Sequence, residues 1–174
     1  MQPFQANRCY LENRVSETLG LLYADHFPYR QFETARDVRQ SPVHDRLKAA
    51  GACFGEVSGW ERANWFLPQA QRERGLKPRY EYSWKRQNWF DYSAKEHLAV
   101  RERVGMFDMS SFGKIRVVGR DAEAVLQRIA ANDVAVEPGK IVYTQFLNQG
   151  GRIEADVTIS RLSSDEFLVV TPAA

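Results

Sequence analysis

Asp156 is the acid that stands out. It lies in the run Arg152-Ile153-Glu154-Ala155-Asp156-Val157-Thr158-Ile159, which alternates polar and apolar residues as a strand does. Aspartate is a poor strand former, so a carboxylate held inside a strand invites a functional reading. On strict alternation Glu154, Asp156 and Thr158 share one face, and Ile153, Ala155, Val157 and Ile159 share the other. Tyr143 and Gln145, on the strand expected to pair with this one, could share the polar face across a hairpin. The tyrosine would then form a flat, amphipathic wall for a ring-shaped ligand. The competing reading is the solvated face of a half-exposed sheet, and spacing alone does not separate the two.

Other catalytic templates are missing. There is no G-x-x-x-x-G-K-[ST], no G-x-G-x-x-G after a strand and no G-x-S-x-G elbow. His26, His44 and His97 show no H-x-x-x-H pairing, and His97 reads as a surface residue. The only cysteines, Cys9 and Cys53, form no C-x-x-C pair, so neither a zinc site nor a dense disulfide framework is expected. Cys53, beside Gly51 and Phe54, reads as a buried structural thiol.

The elements that must position Asp156 are clearest in the second half. Ser93-Ala94-Lys95-Glu96 fits a capping box opening a helix to about Arg103, with Gly105 as its stop. Lys114 to Val118 reads as a strand. Asp121 starts a second helix whose inward stripe is Val125, Leu126 and Ile129. Pro138-Gly139 is a turn. Strands over Ile141–Leu147, Ile153–Arg161 and Phe167–Thr171 follow, joined by Asn148-Gln149-Gly150-Gly151 and by Ser163-Ser164-Asp165-Glu166. Helix, strand, helix and a three-stranded antiparallel meander argue an α+β fold. Phe167-Leu168-Val169-Val170 is apolar enough to be buried, yet the sequence ends at Ala174. That predicts an uncovered strand and a piece of something longer.

The first half is irregular and aromatic. Val15, Leu19 and Leu22 predict a helix from Glu12 to Tyr23, ended by His26, Pro28 and Tyr29. Ser41-Pro42 opens a short helix with Leu47 facing inward. Gly51, Gly55 and Gly59 punctuate the next segment as turns or close approaches. Residues 69–86, with six basic and two acidic residues, read as a linker or as an exposed, solvated loop covering an aromatic cluster. The aromatic-basic mixture suggests RNA contact only weakly, because no nucleic-acid motif accompanies it.

The 174 residues carry 24 Lys plus Arg against 22 Asp plus Glu, a net charge of +2 that does not point to a nucleic-acid binder. Apolar residues at 44% are ordinary for a soluble globular chain, and length allows one domain or two small ones. No apolar h-region and no run approaching eighteen apolar residues is present, which predicts a reducing, cytoplasmic setting without a membrane span.

Several separate runs resemble the folate-binding aminomethyltransferase (glycine-cleavage T-protein) family. They are Val100-Arg-Glu-Arg-Val-Gly-Met-Phe-Asp-Met-Ser-Ser-Phe-Gly-Lys, Ala131-Asn-Asp-Val, and Tyr143-Thr-Gln-Phe-Leu-Asn-Gln-Gly-Gly-Arg-Ile-Glu-Ala-Asp-Val-Thr. Upstream, Tyr10-Leu-Glu-Asn-Arg and Gly55-Glu-Val-Ser-Gly-Trp-Glu-Arg-Ala-Asn-Trp-Phe look like the dimethylglycine and sarcosine dehydrogenase branch. In that branch an FAD-dependent domain precedes the folate domain. The resemblance covers nearly the whole chain. It implies an internal fragment: residues 1–68 from the end of a flavoenzyme-type domain without its FAD-binding core, residues 69–92 a linker, and residues 93–174 the first part of a folate-binding domain.

The resemblance also implies site residues. Asp156 sits at the position of the family's active-site aspartate, near the reactive nitrogens of tetrahydrofolate. There a carboxylate can accept a proton from the attacking amine and stabilise a cationic intermediate. Tyr143 matches a folate-contacting tyrosine. Phe112 stands where the T-protein branch often carries methionine after a Ser-His pair; the motif here is Ser110-Ser111-Phe112.

The expected function is a fragment of a dimethylglycine- or sarcosine-dehydrogenase-like enzyme. It would carry part of the tetrahydrofolate site that captures a one-carbon unit, with FAD only in the full-length parent and no oxidation by the chain alone. The alternative is a non-catalytic folate-binding or assembly module docking to a separate flavoprotein through Trp60–Phe66. Self-association through an exposed strand edge is also expected.

Overall fold

The computed structural model describes residues 3–172. The chain forms two compact units, Met1–Met109 and Ser110–Ala174.

In the first unit a short 3-10 turn, Pro3–Ala6, leads into α1 (Arg8–Tyr23). Asn7 caps the helix, its side chain accepting from the Tyr10 N–H at 3.1 Å. The helix begins four residues earlier than its apolar spacing predicts. Val15, Leu19 and Leu22, which carried that prediction, are exposed and do not form its packed face. The packed face is Tyr10, Arg14, Glu17 and Leu21. Arg14 bonds Glu56 at 2.9 Å and stacks over the Phe32 ring at 3.9 Å. Glu17 accepts from the backbone N–H groups of Glu33 and Thr34. Burial opposes its ionisation, but hydrogen bonds from Thr34, Glu33 and Arg30 outweigh that and lower its pKa to about 2.

α2 (His44–Ala49) starts two residues after Pro42, so the proline precedes the helix rather than opening it. Its buried residue is His44, stacked on Phe54 at 4.4 Å, while Leu47 is only half-buried. The glycine-punctuated segment is a β-hairpin: β1 (Ala52–Val57) pairs antiparallel with β2 (Trp60–Phe66). Ser58 and Gly59 form its turn, both at positive φ (51° and 80°), the I′ pattern that matches strand twist. Gly55 lies inside β1, where a Cβ would come within 2.2 Å of the Asn64 amide and 2.5 Å of Gln31.

The expected interface segment Trp60–Phe66 is therefore largely internal. Trp65 is buried with Cys53 and Leu67 against Tyr80, Trp89 and Tyr92, and it stacks on Tyr92 at 5.5 Å. Burial pushes the Cys53 thiol up to about 11, outweighing the Arg36 charge, as fits a structural cysteine.

Residues 69–86 form a largely exposed segment that packs Tyr80 against the aromatic cluster. α3 (Gln69–Glu73) opens them, and Tyr80 receives a hydrogen bond from Asn64 at 2.6 Å. The Tyr82 hydroxyl accepts from the Gln31 N–H at 2.7 Å. Arg72, Arg79 and Arg86 bond the Ala49 carbonyl, Glu81 and Asp91. α4 (Phe90–Glu102) begins three residues before the expected cap, placing Ser93 inside the helix. Glu96 instead accepts from the Phe66 N–H at 2.8 Å, and burial raises its pKa. Gly105 lacks the positive φ of a glycine stop.

The second unit is an antiparallel sheet with one helix. β3 (Gly113–Val118), α5 (Ala122–Ile129), β4 (Ile141–Leu147), β5 (Ile153–Arg161) and β6 (Glu166–Thr171) give the strand order β3-β6-β5-β4. This agrees with the α+β reading, and the three final strands lie where alternation places them. Two details differ. Of the expected stripe Leu126 is buried and Ile129 half-buried, but Val125 is exposed and Ala122 is buried in its stead. β6 is not an uncovered edge: it lies between β3 and β5, and Phe167 and Val169 are buried. The outer strands of the sheet are β3 and β4. The core, Ala122, Leu126, Val134, Val142, Val157, Ile159, Phe167 and Val169, lies on one face of the sheet. Arg161 ties it to Glu123 at 2.7 Å and to the Val136 carbonyl at 2.8 Å.

Among the described residues, no helix is long and apolar enough to cross a membrane, and no group of three or more His, Cys, Asp or Glu could hold a metal ion.

Candidate functional site

β4 and β5 set the geometry. Their register opposes Gln145 to Asp156 and Tyr143 to Thr158. Inward Val142, Thr144, Val157 and Ile159 are buried, so alternation turns Tyr143, Gln145 and Asp156 to the open face. There the three side chains meet. The Tyr143 hydroxyl donates to Asp156 Oδ2 at 2.9 Å, a diagonal contact across the ladder. The Gln145 amide donates to Asp156 Oδ1 at 3.1 Å.

Each carboxylate oxygen thus has one donor in the protein. An ionised carboxylate offers about four acceptor sites, so capacity remains for an incoming N–H or cation. The hydrogen bond to Asp156 raises the Tyr143 pKa, with desolvation and the carboxylate charge adding in the same direction. The phenol is therefore kept protonated, as a donor that orients the carboxylate. Tyr143 is 62% exposed, leaving much of its ring open to a ligand.

The edge of β4 is fixed from behind. Ala130 bridges Phe146, and the Ala131 N–H donates to the Gln145 carbonyl at 2.9 Å. Asn132 donates its backbone N–H to the Thr144 hydroxyl at 2.9 Å and its side-chain amide to the Tyr143 carbonyl at 3.5 Å. Val134 is buried in the core. Backbone N–H of Ala135 and the Gln127 amide hold the Asp133 carboxyl below its usual range. The run Ala131-Asn132-Asp133-Val134 therefore braces the strand that carries Tyr143 and Gln145. Sequence reasoning missed this positioning role. Its signal was Thr144, a hydroxyl at an inward position between Val142 and Phe146, which requires a buried partner.

Glu154 shares the strand face but not the cluster: it is bonded by the Asn148 side chain at 2.6 Å. Phe112 is not brought beside Asp156. It immediately precedes β3, and β6 separates β3 from β5. Continuing the two registers (Gly113↔Thr171 and Thr158↔Val170) places residues 112, 172 and 156 in one row. Phe112 is then two strand spacings from Asp156, roughly 10 Å. The structure joins Tyr143 with Asp156, and Phe112 stands two strands away along the same row.

Comparison with known proteins agrees with this architecture. Residues 43–174 match the family described as the GCVT N-terminal domain, and residues 1–41 match the FAD dependent oxidoreductase central domain. The 4-methylaminobutanoate oxidase (formaldehyde-forming) of Paenarthrobacter nicotinovorans is 53% identical over 97% of this chain and 20% of its own length. The mitochondrial pyruvate dehydrogenase phosphatase regulatory subunit of Mus musculus is 36% identical over 97% of this chain and 19% of its own length. The mitochondrial sarcosine dehydrogenase of Homo sapiens is 32% identical over 88% of this chain and 19% of its own length. The chain thus spans about a fifth of these relatives. The glycine cleavage system aminomethyltransferase T from Bartonella henselae superposes with a TM-score of 0.60 at 25% identity, covering 79% of this chain and 32% of that one.

Proposed function

This chain belongs to the GCVT aminomethyltransferase family, and we propose that it supplies part of a tetrahydrofolate site in an FAD-dependent N-methyl amine oxidoreductase. The observation that carries this reading is the Asp156 carboxylate held on an open sheet face by Tyr143 and Gln145. The donor set suits a reduced pterin: a flat ring, an amide and a carboxylate with free acceptor sites. Tetrahydrofolate, when bound, supplies the amine nitrogens that take up a one-carbon unit. Asp156 accepts a hydrogen bond from such a nitrogen, takes its proton as a bond to carbon forms, and offsets positive charge nearby. Tyr143 and Gln145 hold the carboxylate in one rotamer and so lower the cost of ordering it on binding. The flavin chemistry belongs to the longer polypeptide.

Calorimetric titration of the chain with tetrahydrofolate tests this reading. Saturable one-to-one binding is expected. No binding at millimolar ligand would remove the claim that these residues form a usable part of the site. The likeness to a phosphatase regulatory subunit favours one second reading, a non-catalytic module, and docking to a separate flavoprotein is the form of it expected from the sequence. That reading requires a stable hetero-complex with a separate flavoprotein by native mass.

A further inference from the structure

Helix α1 is packed the wrong way round for a protein surface. Its inward stripe is Tyr10, Arg14, Glu17 and Leu21, and two of those four carry charge. Those charges are paired within the unit: Arg14 bonds Glu56 and the carbonyls of Thr34 and Ala35, and Glu17 bonds Arg30, Glu33 and Thr34. One to two residues further along, about 125° around the helix, runs a second stripe. It is Leu11, Val15, Leu19 and Leu22, exposed by 39, 51, 52 and 71%. Scattered exposed leucines are ordinary; four in line along one helix face are an unpartnered apolar surface.

We propose that this stripe is the seat of the remainder of the FAD-dependent oxidoreductase-type domain, an apolar surface contributed by the same longer polypeptide. The proposal rests on the functional reading above. Three observations select this occupant. The whole of α1 falls in residues 1–41, which match the FAD dependent oxidoreductase central domain rather than the GCVT domain. About four fifths of each relative's length lies outside the matched segment, enough to supply a covering surface. The inward face of α1 makes the helix's contacts with this unit, through Glu56, Phe32 and residues 33–35, and the outward stripe is exposed. The stripe is about 17 Å long, from Leu11 to Leu22, the length one packed helix or two strands would cover.

Cysteine labelling tests this. Val15→Cys, Leu22→Cys and, as a reference, Arg74→Cys are made in a Cys9→Ser background; Cys53 is buried and its thiol is held protonated. Maleimide rates are read in the chain alone and in a chimera where the chain replaces the matching fifth of the Paenarthrobacter oxidase. The expected result is equal rates at all three positions in the chain alone. In the flavin-bound chimera, labelling at Val15 and Leu22 should be at least tenfold slower than at Arg74. Equal rates in that chimera overturn the proposal. So does concentration-dependent protection in the chain alone, which would make a second copy the occupant. A chimera without flavin counts against the functional reading; labelling the oxidase itself at the aligned positions then still decides whether the helix face is covered.

Discussion

Asp156→Asn separates a binding carboxylate from a structural one. The side chain is exposed, and its two hydrogen bonds are surface contacts. Removing its charge should therefore change stability by less than about 1 kcal/mol. For a chain of this size that is a midpoint change of no more than about 2–4 °C. Ligand binding should respond far more. A hydrogen bond to a charged group contributes roughly 1.5–3 kcal/mol, so affinity for tetrahydrofolate should fall about 10- to 150-fold. The two effects are read together by thermal unfolding with and without ligand. At about a hundred times the dissociation constant, ligand stabilises the wild type by roughly 2.7 kcal/mol. If the variant binds a hundredfold more weakly, the same ligand concentration gives only about 0.4 kcal/mol. Tyr143→Phe keeps the charge and loses one orienting donor, so its loss should be smaller, about 2- to 12-fold. Wild-type affinity in Asp156→Asn would refute the assignment. A large loss of stability without ligand would show that the carboxylate holds the hairpin instead.

Three further outcomes follow from the packing. Glu61 is buried and accepts from the Arg36 guanidinium and from the Asp37 N–H; Glu61→Ala leaves that cation with only the Phe32 and Phe54 carbonyls and should cost about 1–3 kcal/mol by chemical denaturation, with Glu61→Gln costing less. Glu17, with its pKa lowered to about 2, contributes stability fully present above its unfolded value near 4.5 and lost as pH falls through 2; Glu17→Gln should flatten the acid limb of a midpoint-against-pH profile. Phe167 is fully buried under α5, and Phe167→Ala should cost about 3–5 kcal/mol, whereas Val125→Ala on the exposed side of α5 should cost under about 0.5 kcal/mol.

The second unit was largely legible because its rules are local. Period-two alternation located β4, β5 and β6 and put Asp156, Tyr143 and Gln145 on one face, since side-chain direction in a strand follows from sequence parity. Asn148 to Gly151 announced their hairpin, and Asn148 does cap it, accepting from the Gly150 and Arg152 N–H groups. The first unit was not legible in the same way. Glycines read as breakers hid the β1–β2 hairpin, although Ser58-Gly59 is a sound two-residue turn. Ser93 and Glu96 have the capping spacing, but Glu96 is taken by the Phe66 N–H, thirty residues away.

By itself, then, the sequence determined which residues alternate, which segments are apolar, and that a carboxylate, a phenol and an amide share one strand face. Tertiary structure alone decided three things. It placed β6 between β3 and β5, because strand order depends on long-range pairing that no local pattern encodes. It put Phe112 two strands from Asp156. It also chose which face of α1 meets this unit: Arg14 and Glu17 find Glu56 and Arg30 there, and the leucine stripe is turned outward. Apolar spacing reports that a helix has a face to bury; only its neighbours decide which face meets them.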